Sequence, residues 1–336
     1  MRSAWKIDDD DFRDLESRGE QLQFLLRYAI LAPSSHNTQP WAFRITDDGV
    51  EFFADFSRRL LIADGKDREL LMSVGAAMMN FRVAAARFGF CTTVKHETRS
   101  AEVLPIATIE VRETCAPDAS LAALFPAIRQ RHTNRAPFDA QPLDPEALRP
   151  LCDVLDAHPE TLRLILARDR DRVADLVEDA DRAQMARPAF RAELAEWVRR
   201  DATGTDGLSG DALGVPRVLS SAAPWLVRNV DSGGWRARRD RQLVARSSLL
   251  MLVTASDDRA SLVRAGEVLE RLLLTITGAG LQYSFLNQPI EVEELREHMR
   301  KLAGADRPAQ LLLRIGSARV AAEATPRRPV ASVLMK

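Results

Sequence analysis

The sequence predicts an α+β protein made of two fused copies of one unit, paired as an intramolecular pseudo-dimer, with a lid loop in the second copy. Three observations carry this reading. Gly75 and Gly89 bracket an apolar helical stretch with the same spacing as Gly266 and Gly280, and a strand-like segment follows each pair; self-similarity of this kind marks a repeated supersecondary unit. Two unrelated helices that each end at a glycine cap would give the same spacing. Alternating segments at 41–45 and 50–54 flank Asp47-Asp48-Gly49, a hairpin signal. Residues 201–224 hold Gly204, Gly207, Gly210, Gly214, Pro216 and Pro224 with no apolar period, and a structureless stretch of that length inside a compact domain reads as a surface lid.

The elements follow in order. Leu22, Leu25, Leu26, Ala29 and Ile30 fall at helical spacing in 21–31, and Pro33-Ser34-Ser35 stops that helix. After the hairpin come a long helix over 68–88 and a strand over 106–111. Pro105 and Pro117 bracket that strand, which sets the expected halves at 1–117 and 118–336. The second half reads as a helix over 121–131, a turn-rich 136–145, a helix over 145–155, a strand over 162–167 and helical segments over 171–200. Beyond the lid lie a strand over 249–254, helices over 261–278 and 292–303, and a strand over 310–315.

Composition narrows the function classes. Across 336 residues, Lys+Arg 47 against Asp+Glu 48 leaves a net charge of -1, so no general positive field exists to hold a nucleic acid or an anionic membrane. The longest apolar stretches are interrupted by Arg246, Glu270 and Arg271, too early for a membrane span. The opening residues turn acidic at once, which argues against a secretory signal. Cys91, Cys115 and Cys152 are odd in number and widely spaced, so neither a disulfide framework nor a zinc site is expected, and a cytoplasmic location is. His36, His96, His132, His158 and His298 have no ligand spacing, and G-x-G-x-x-G, Walker A and G-x-S-x-G patterns are missing.

Three runs carry chemistry. Ala32-Pro33-Ser34-Ser35-His36-Asn37-Thr38-Gln39-Pro40-Trp41 is a rigid turn rich in hydrogen-bond groups that could lie against a planar ligand; a purely structural Ser/Asn turn has the same composition. Arg131-His132-Thr133-Asn134-Arg135 supplies a forked donor set suited to a phosphate, although an isolated pair of this spacing is more often a solvated helix end. Thr325-Pro326-Arg327-Arg328-Pro329 adds two cations near the C-terminus. The run Arg236, Arg238, Arg239 and Arg241 reads as a solvated face without a role.

Together with the segment G-L-Q-Y-S-F-L-N-Q-P at 280–289, these runs resemble the FMN-dependent nitroreductase family, and within it the single-chain, internally duplicated Acg-like branch, over about residues 21–330. The resemblance implies a nitroreductase-like fold of mostly antiparallel sheets flanked by helices, with one FMN per chain between the halves. The first half lacks an R-x-[ST]-x-[RK] run and the second lacks the turn, so the parts make one site. By motif position, Pro33, Ser34, Ser35 and Asn37 would face the ring or ribityl chain. Arg131 and Thr133, with His132 between them, would hold the phosphate, and Arg327 and Arg328 would close on it. Arg135 would reach the pyrimidine edge. Phe285, Leu286, Asn287 and Gln288 fall where relatives offer donors to flavin N5, although some relatives have Glu-Gly or a glycine-rich pair there. The implied activity is transfer from NAD(P)H through the flavin to a small nitroaromatic or quinone-like acceptor, without a catalytic side chain. The alternative is an FMN-sequestering protein whose lid leaves little turnover. No nucleic-acid or membrane partner is implied, and fusion of the halves makes a monomer feasible.

Overall fold

The computed structural model describes residues 3–97, 99, 101–139, 141–200, 204–215 and 217–335. Helix α1 (Arg18–Ala29) opens with a reciprocal cap in which Ser17 accepts from the Glu20 amide and the Glu20 carboxylate accepts from the Ser17 amide. The expected hairpin forms as β1 (Trp41–Thr46) and β2 (Gly49–Ala54), paired antiparallel with Thr46 opposite Gly49. Helix α2 (Arg68–Arg87) starts where the Asp64 carboxylate accepts from the Arg68 and Leu70 amides, both at 2.9 Å. Strands β3 (Cys91–His96) and β4 (Ala107–Arg112) complete a sheet ordered β1-β2-β4-β3.

The expected helix over 121–131 is split into α3 (Ala119–Ala122) and α4 (Phe125–Gln130), because Pro126 has no amide to continue the ladder and instead opens a new first turn. Next come α5 (Pro145–Ala157), β5 (Leu162–Ile165), α6 (Arg170–Ala186) and α7 (Pro188–Glu196). The segment read as a lid loop is partly ordered: β6 (Val198–Arg199) pairs in parallel with β7 (Leu208–Ser209), and α8 (Ala223–Asn229) ends the segment. Leu208 and Gly210 are buried there, so the segment is more than a surface loop; residues 201–203 and 216 of the expected lid lie outside the described residues. Then follow α9 (Gly233–Ala245), β8 (Leu249–Thr254), α10 (Arg259–Gly278), β9 (Gln282–Phe285), α11 (Gln288–Glu291), α12 (Glu293–Leu302) and β10 (Ala309–Gly316).

The second sheet is ordered β5-β8-β10-β9 and is likewise antiparallel. Both sheets therefore have the same strand order, with a long helix between the second and third strands of each, α2 in one and α10 in the other. They differ in the first connection: a tight hairpin joins β1 to β2, whereas α6 to α9 and the lid separate β5 from β8. The long helices touch backbone to backbone at the two glycines that opened the sequence reading. A Cβ on Gly75 would lie 2.0 Å from the Val263 carbonyl oxygen, and one on Gly266 would lie 2.1 Å from that of Met72. The contact is reciprocal, so each glycine is required by the other helix's backbone.

The main core fills the space among α1, α2, α10 and both sheets, while a smaller cluster lies under α6 and a third joins Leu60 and Ala63 to α7, α8 and the lid. Contrary to the expectation of unpaired cysteines, Cys91 and Cys115 form a disulfide. Antiparallel pairing sets Cys91 opposite Arg112, which brings Cys115, three residues on, within reach across the sheet edge. Among the described residues no helix is long and apolar enough to cross a membrane, and no cluster of His, Cys, Asp and Glu has the makings of a metal site.

Candidate functional site

A cavity of about 240 Å³ takes its walls from residues within 33–76 and within 131–327. Its first wall is the turn after α1. His36, Asn37 and Gln39 all have left-handed backbones, with φ of 50°, 54° and 52°, a conformation that costs non-glycine residues about 1 kcal/mol or more each. Hydrogen bonds from three directions over-determine it. Ser34 Oγ accepts from the Gln39 amide at 2.9 Å. Asn37 Nδ2 donates to the carbonyls of Gly207 and Pro326, both at 3.1 Å, and Gln39 Nε2 donates to that of Thr205 at 2.8 Å. The lid and the C-terminal segment thus converge on one turn.

The second wall is cationic. Arg131 is 1% exposed; it forms an ion pair with Glu270 at 3.1 Å, donates to the Leu31 carbonyl at 2.7 Å and donates to the Tyr283 hydroxyl. Arg327 is 6% exposed and donates to Asn37 Oδ1 and to the carbonyls of Leu31 and Ala32 at 3.0 to 3.1 Å. Burial, with Arg131 alongside, pushes the Arg327 guanidinium down to about 9, and burial pushes the Glu270 carboxyl up to about 7 against the pull of both arginines. Two buried cations against one carboxylate leave a positive excess: Arg131 Nε faces Glu270, while Arg327 Nε lacks a hydrogen-bond partner among the described residues. Such a cluster favours an added anion. Opposite lie acids: Ser35 Oγ donates to Glu69, Asn287 Nδ2 donates to Glu69 at 3.3 Å, and Gln184 Nε2 donates to Glu291 at 2.6 Å. Burial raises the Glu69 carboxyl, and burial beside Glu69 raises that of Glu291 well above the carboxylate range. Met72, Ala76, Leu269 and Leu311 supply apolar surface between these polar ends.

No family model matches the chain. It is 31% identical over 328 residues to a Mycobacterium tuberculosis protein that carries the provisional name NAD(P)H nitroreductase acg, spanning 92% of this chain and 93% of the relative. The chain belongs to the Acg-like nitroreductase family. A second M. tuberculosis protein with a provisional NAD(P)H nitroreductase name is 29% identical over 324 residues, 94% of this chain and 91% of that one. Among solved structures, an FMN-bound nitroreductase of Desulfitobacterium hafniense matches 64% of this chain and 98% of its own, at 13% identity and TM-score 0.37. A structure from Anabaena variabilis with the provisional name nitroreductase matches 93% of this chain and 92% of its own, at 9% identity and TM-score 0.48.

In this Acg-like chain, all but two of the residues singled out from sequence line the one cavity: Pro33, Ser34, Ser35, Asn37, Arg131, His132, Thr133, Arg135, Phe285, Asn287, Gln288 and Arg327. Leu286 is a correction, because its side chain is buried in the cluster under α6 and its amide pairs with the Leu312 carbonyl at 2.8 Å. Arg328 is another. It turns away from the cavity toward the Gln39 and Ser332 carbonyls and Asp55, since alternate residues of an extended segment point to opposite sides. Asn287 and Gln288 are committed to protein groups, Asn287 Oδ1 to the Leu312 amide at 3.1 Å and Gln288 Nε2 to Asp181 and Asp240 at 3.2 and 2.8 Å. The run expected to be solvated is corrected as well: Arg236 on α9 lines the cavity, with Phe190, Leu194, Leu208 and Leu213 of α7 and the lid. The acids Glu69 and Glu291 went unremarked in the sequence. The available signal was a charge at a position of an apolar helix that faces the core, as at Glu69 and Glu270.

Proposed function

We propose that this chain is an FMN-dependent NAD(P)H oxidoreductase of nitroreductase type, with one FMN per chain in the cavity between the halves 1–117 and 118–336. The observation that carries the reading is the convergence of the 33–37 turn, the 131–135 run and Arg327 on one cavity with a buried positive excess. The residues fit a flavin mononucleotide: the cationic wall of Arg131, Thr133 and Arg327 suits its phosphate, and Met72, Ala76, Leu269 and Leu311 suit a flat ring. When bound, FMN supplies the redox chemistry, accepting hydride from a nicotinamide and passing electrons to a small nitroaromatic or quinone-like acceptor. The chain's own groups bind and orient. Ser34, Ser35 and Asn37 are fixed by the strained turn, Arg135 presents a guanidinium free of hydrogen bonds among the described residues, and the lid residues Leu208 and Leu213 exclude water from the cavity. The proposed setting is the cytoplasm, without nucleic-acid or membrane partners. Protein loaded with FMN and then desalted should keep flavin absorbance, and anaerobic NADPH or NADH should bleach it; a colourless desalted protein overturns the proposal.

A second reading is an FMN-sequestering protein of low turnover. It is favoured by the lid's fastening to the turn through Gly207 and Thr205 and to Arg58 through Asp206. Slow bleaching that becomes fast when the 204–215 segment is shortened supports sequestration, whereas fast bleaching of the intact chain supports the enzyme.

A further inference from the structure

Helix α9 brings Arg236 to the lining of the same cavity as Arg131 and Arg327. Its Nε donates to Ser232 Oγ at 3.2 Å, and its terminal nitrogens have neither a hydrogen bond nor a salt bridge among the described residues. Asp181 and Asp240 act on it only through space, because each carboxylate accepts from Gln288 Nε2 instead, at 3.2 and 2.8 Å. The Arg135 guanidinium has no hydrogen-bond or salt-bridge partner among the described residues; Arg239, Tyr283 and Asp211 act on it through space. Both guanidinium groups act on the buried ring of His36, so the three basic groups face one region of the cavity. Arg239 Nη2 donates to the Arg135 carbonyl at 3.4 Å, which ties α9 to the chain that carries Arg135. Arg131 and Arg327 differ in having a carboxylate or carbonyls as standing partners. Two half-buried guanidinium groups whose terminal nitrogens have no hydrogen-bond partner among the described residues are stabilised when an anion joins them.

We propose that Arg135 and Arg236 form an oxyanion clamp for a phosphate ester or carboxylate on the ligand of this cavity. The clamp itself follows from the unpaired donors; naming its ligand rests on the flavin reading above. Two sources offer this chemistry, the phosphate of FMN and a carboxylate on the electron acceptor.

The test uses the full-length chain, desalted free of flavin, with Arg135→Gln, Arg236→Gln and Arg236→Lys, and with Arg238→Gln on the exposed side of the same helix as a control. FMN and riboflavin are titrated by fluorescence quenching. If the clamp takes the phosphate, Arg236→Gln weakens FMN about ten- to a hundredfold relative to riboflavin, and Arg236→Lys recovers part of the loss. If it takes a substrate carboxylate, the FMN-to-riboflavin ratio stays, while kcat/KM for 4-nitrobenzoate relative to 4-nitrobenzamide falls at least about tenfold. Equal weakening of FMN and riboflavin with no change in acceptor preference overturns the clamp and assigns Arg236 to the ring. If the wild type binds neither flavin, the flavin reading fails, and the clamp is decided by inorganic phosphate alone. A rise in Tm with sodium phosphate over sodium chloride at equal ionic strength, lost in Arg236→Gln and kept in Arg238→Gln, supports it; no rise in the wild type overturns it.

Discussion

At His36 a left-handed backbone, a buried ring nitrogen without a partner among the described residues and two neighbouring guanidinium groups coincide. Burial, reinforced by Arg135 and Arg236, pushes the imidazole down to about 4 from 6.5. The folded chain therefore keeps this ring neutral at pH values where the unfolded chain takes a proton. Its contribution to stability is complete above the unfolded value and is lost as the pH falls from 6.5 through 4. Asparagine tolerates left-handed backbone and does not titrate, so His36→Asn should show a smaller fall in Tm between about pH 7 and about pH 4.5 than the wild type; an equal fall would dissociate His36 from the acid sensitivity. The paired arginines near the C-terminus make a second contrast. Arg327→Ala removes charge-assisted bonds to the Leu31 and Ala32 carbonyls and should cost about 3 kcal/mol in urea unfolding. Arg328→Ala should leave FMN retention unchanged, because that side chain lies outside the cavity. Which of the two adjacent arginines enters the cavity was not legible, since the motif fixes their order and only the folded path fixes the alternation.

Among the elements, α2 and α10 were legible because their apolar stretches are long and end at glycines with positive φ, 92° at Gly89 and 73° at Gly280, as a helix terminus requires. Strand β3 was legible only as a strand-like segment after Gly89, without bounds, since Thr92, Thr93 and Lys95 give little apolar alternation on an edge strand. The face of α9 was equally hidden: a basic run ordinarily faces solvent, and only the packing of α9 on α6 turns Arg236 and Asp240 inward. The glycine spacing itself tests the helix crossing. Gly75→Ala or Gly266→Ala drives a methyl into a carbonyl at about van der Waals overlap and should cost about 3 kcal/mol or more. Gly278→Ala, at the end of α10 with nothing within 4 Å of its Cβ, should be neutral or gain up to about 1 kcal/mol; equal losses at all three positions would mean that the crossing is not what selects glycine. The lid makes a separate prediction. Asp206 joins Arg199 at 2.7 Å and Arg58 across the halves, and the two arginines hold its carboxyl below the usual range despite burial. Asp206→Asn should speed proteolytic cleavage within 204–215 and anaerobic bleaching of bound flavin, and unchanged rates of both would show that the lid is closed by other contacts.

For the whole molecule, the question is whether either half is a folding unit. Helix α2 is buried on nearly every side, from Leu70 to Ala86, and much of that burial is against α10, which belongs to the other half. The cavity is divided in the same way, with the 33–37 turn and Glu69 on one side and the 131–135 run, Arg236 and Arg327 on the other. The C-terminal end strengthens the exchange: the Phe43 amide donates to the Val333 carbonyl at 2.8 Å, and the Met335 amide donates to the Phe43 carbonyl at 2.7 Å, so the last residues add to the edge of the first sheet. A chain cut after Pro117 leaves the Cys91–Cys115 disulfide within one fragment and separates α2 from α10. Fragment 1–117 alone would expose the apolar α2 surface and an open sheet edge, and should precipitate or self-associate. Fragment 118–336 alone would keep the cationic wall without the turn that faces it, and should retain no FMN after desalting. Co-expressed, the two should elute together and carry about one FMN per pair. Retention of FMN by 118–336 alone, at the level of the intact chain, would make the second half a complete site and remove the argument for an interleaved pseudo-dimer.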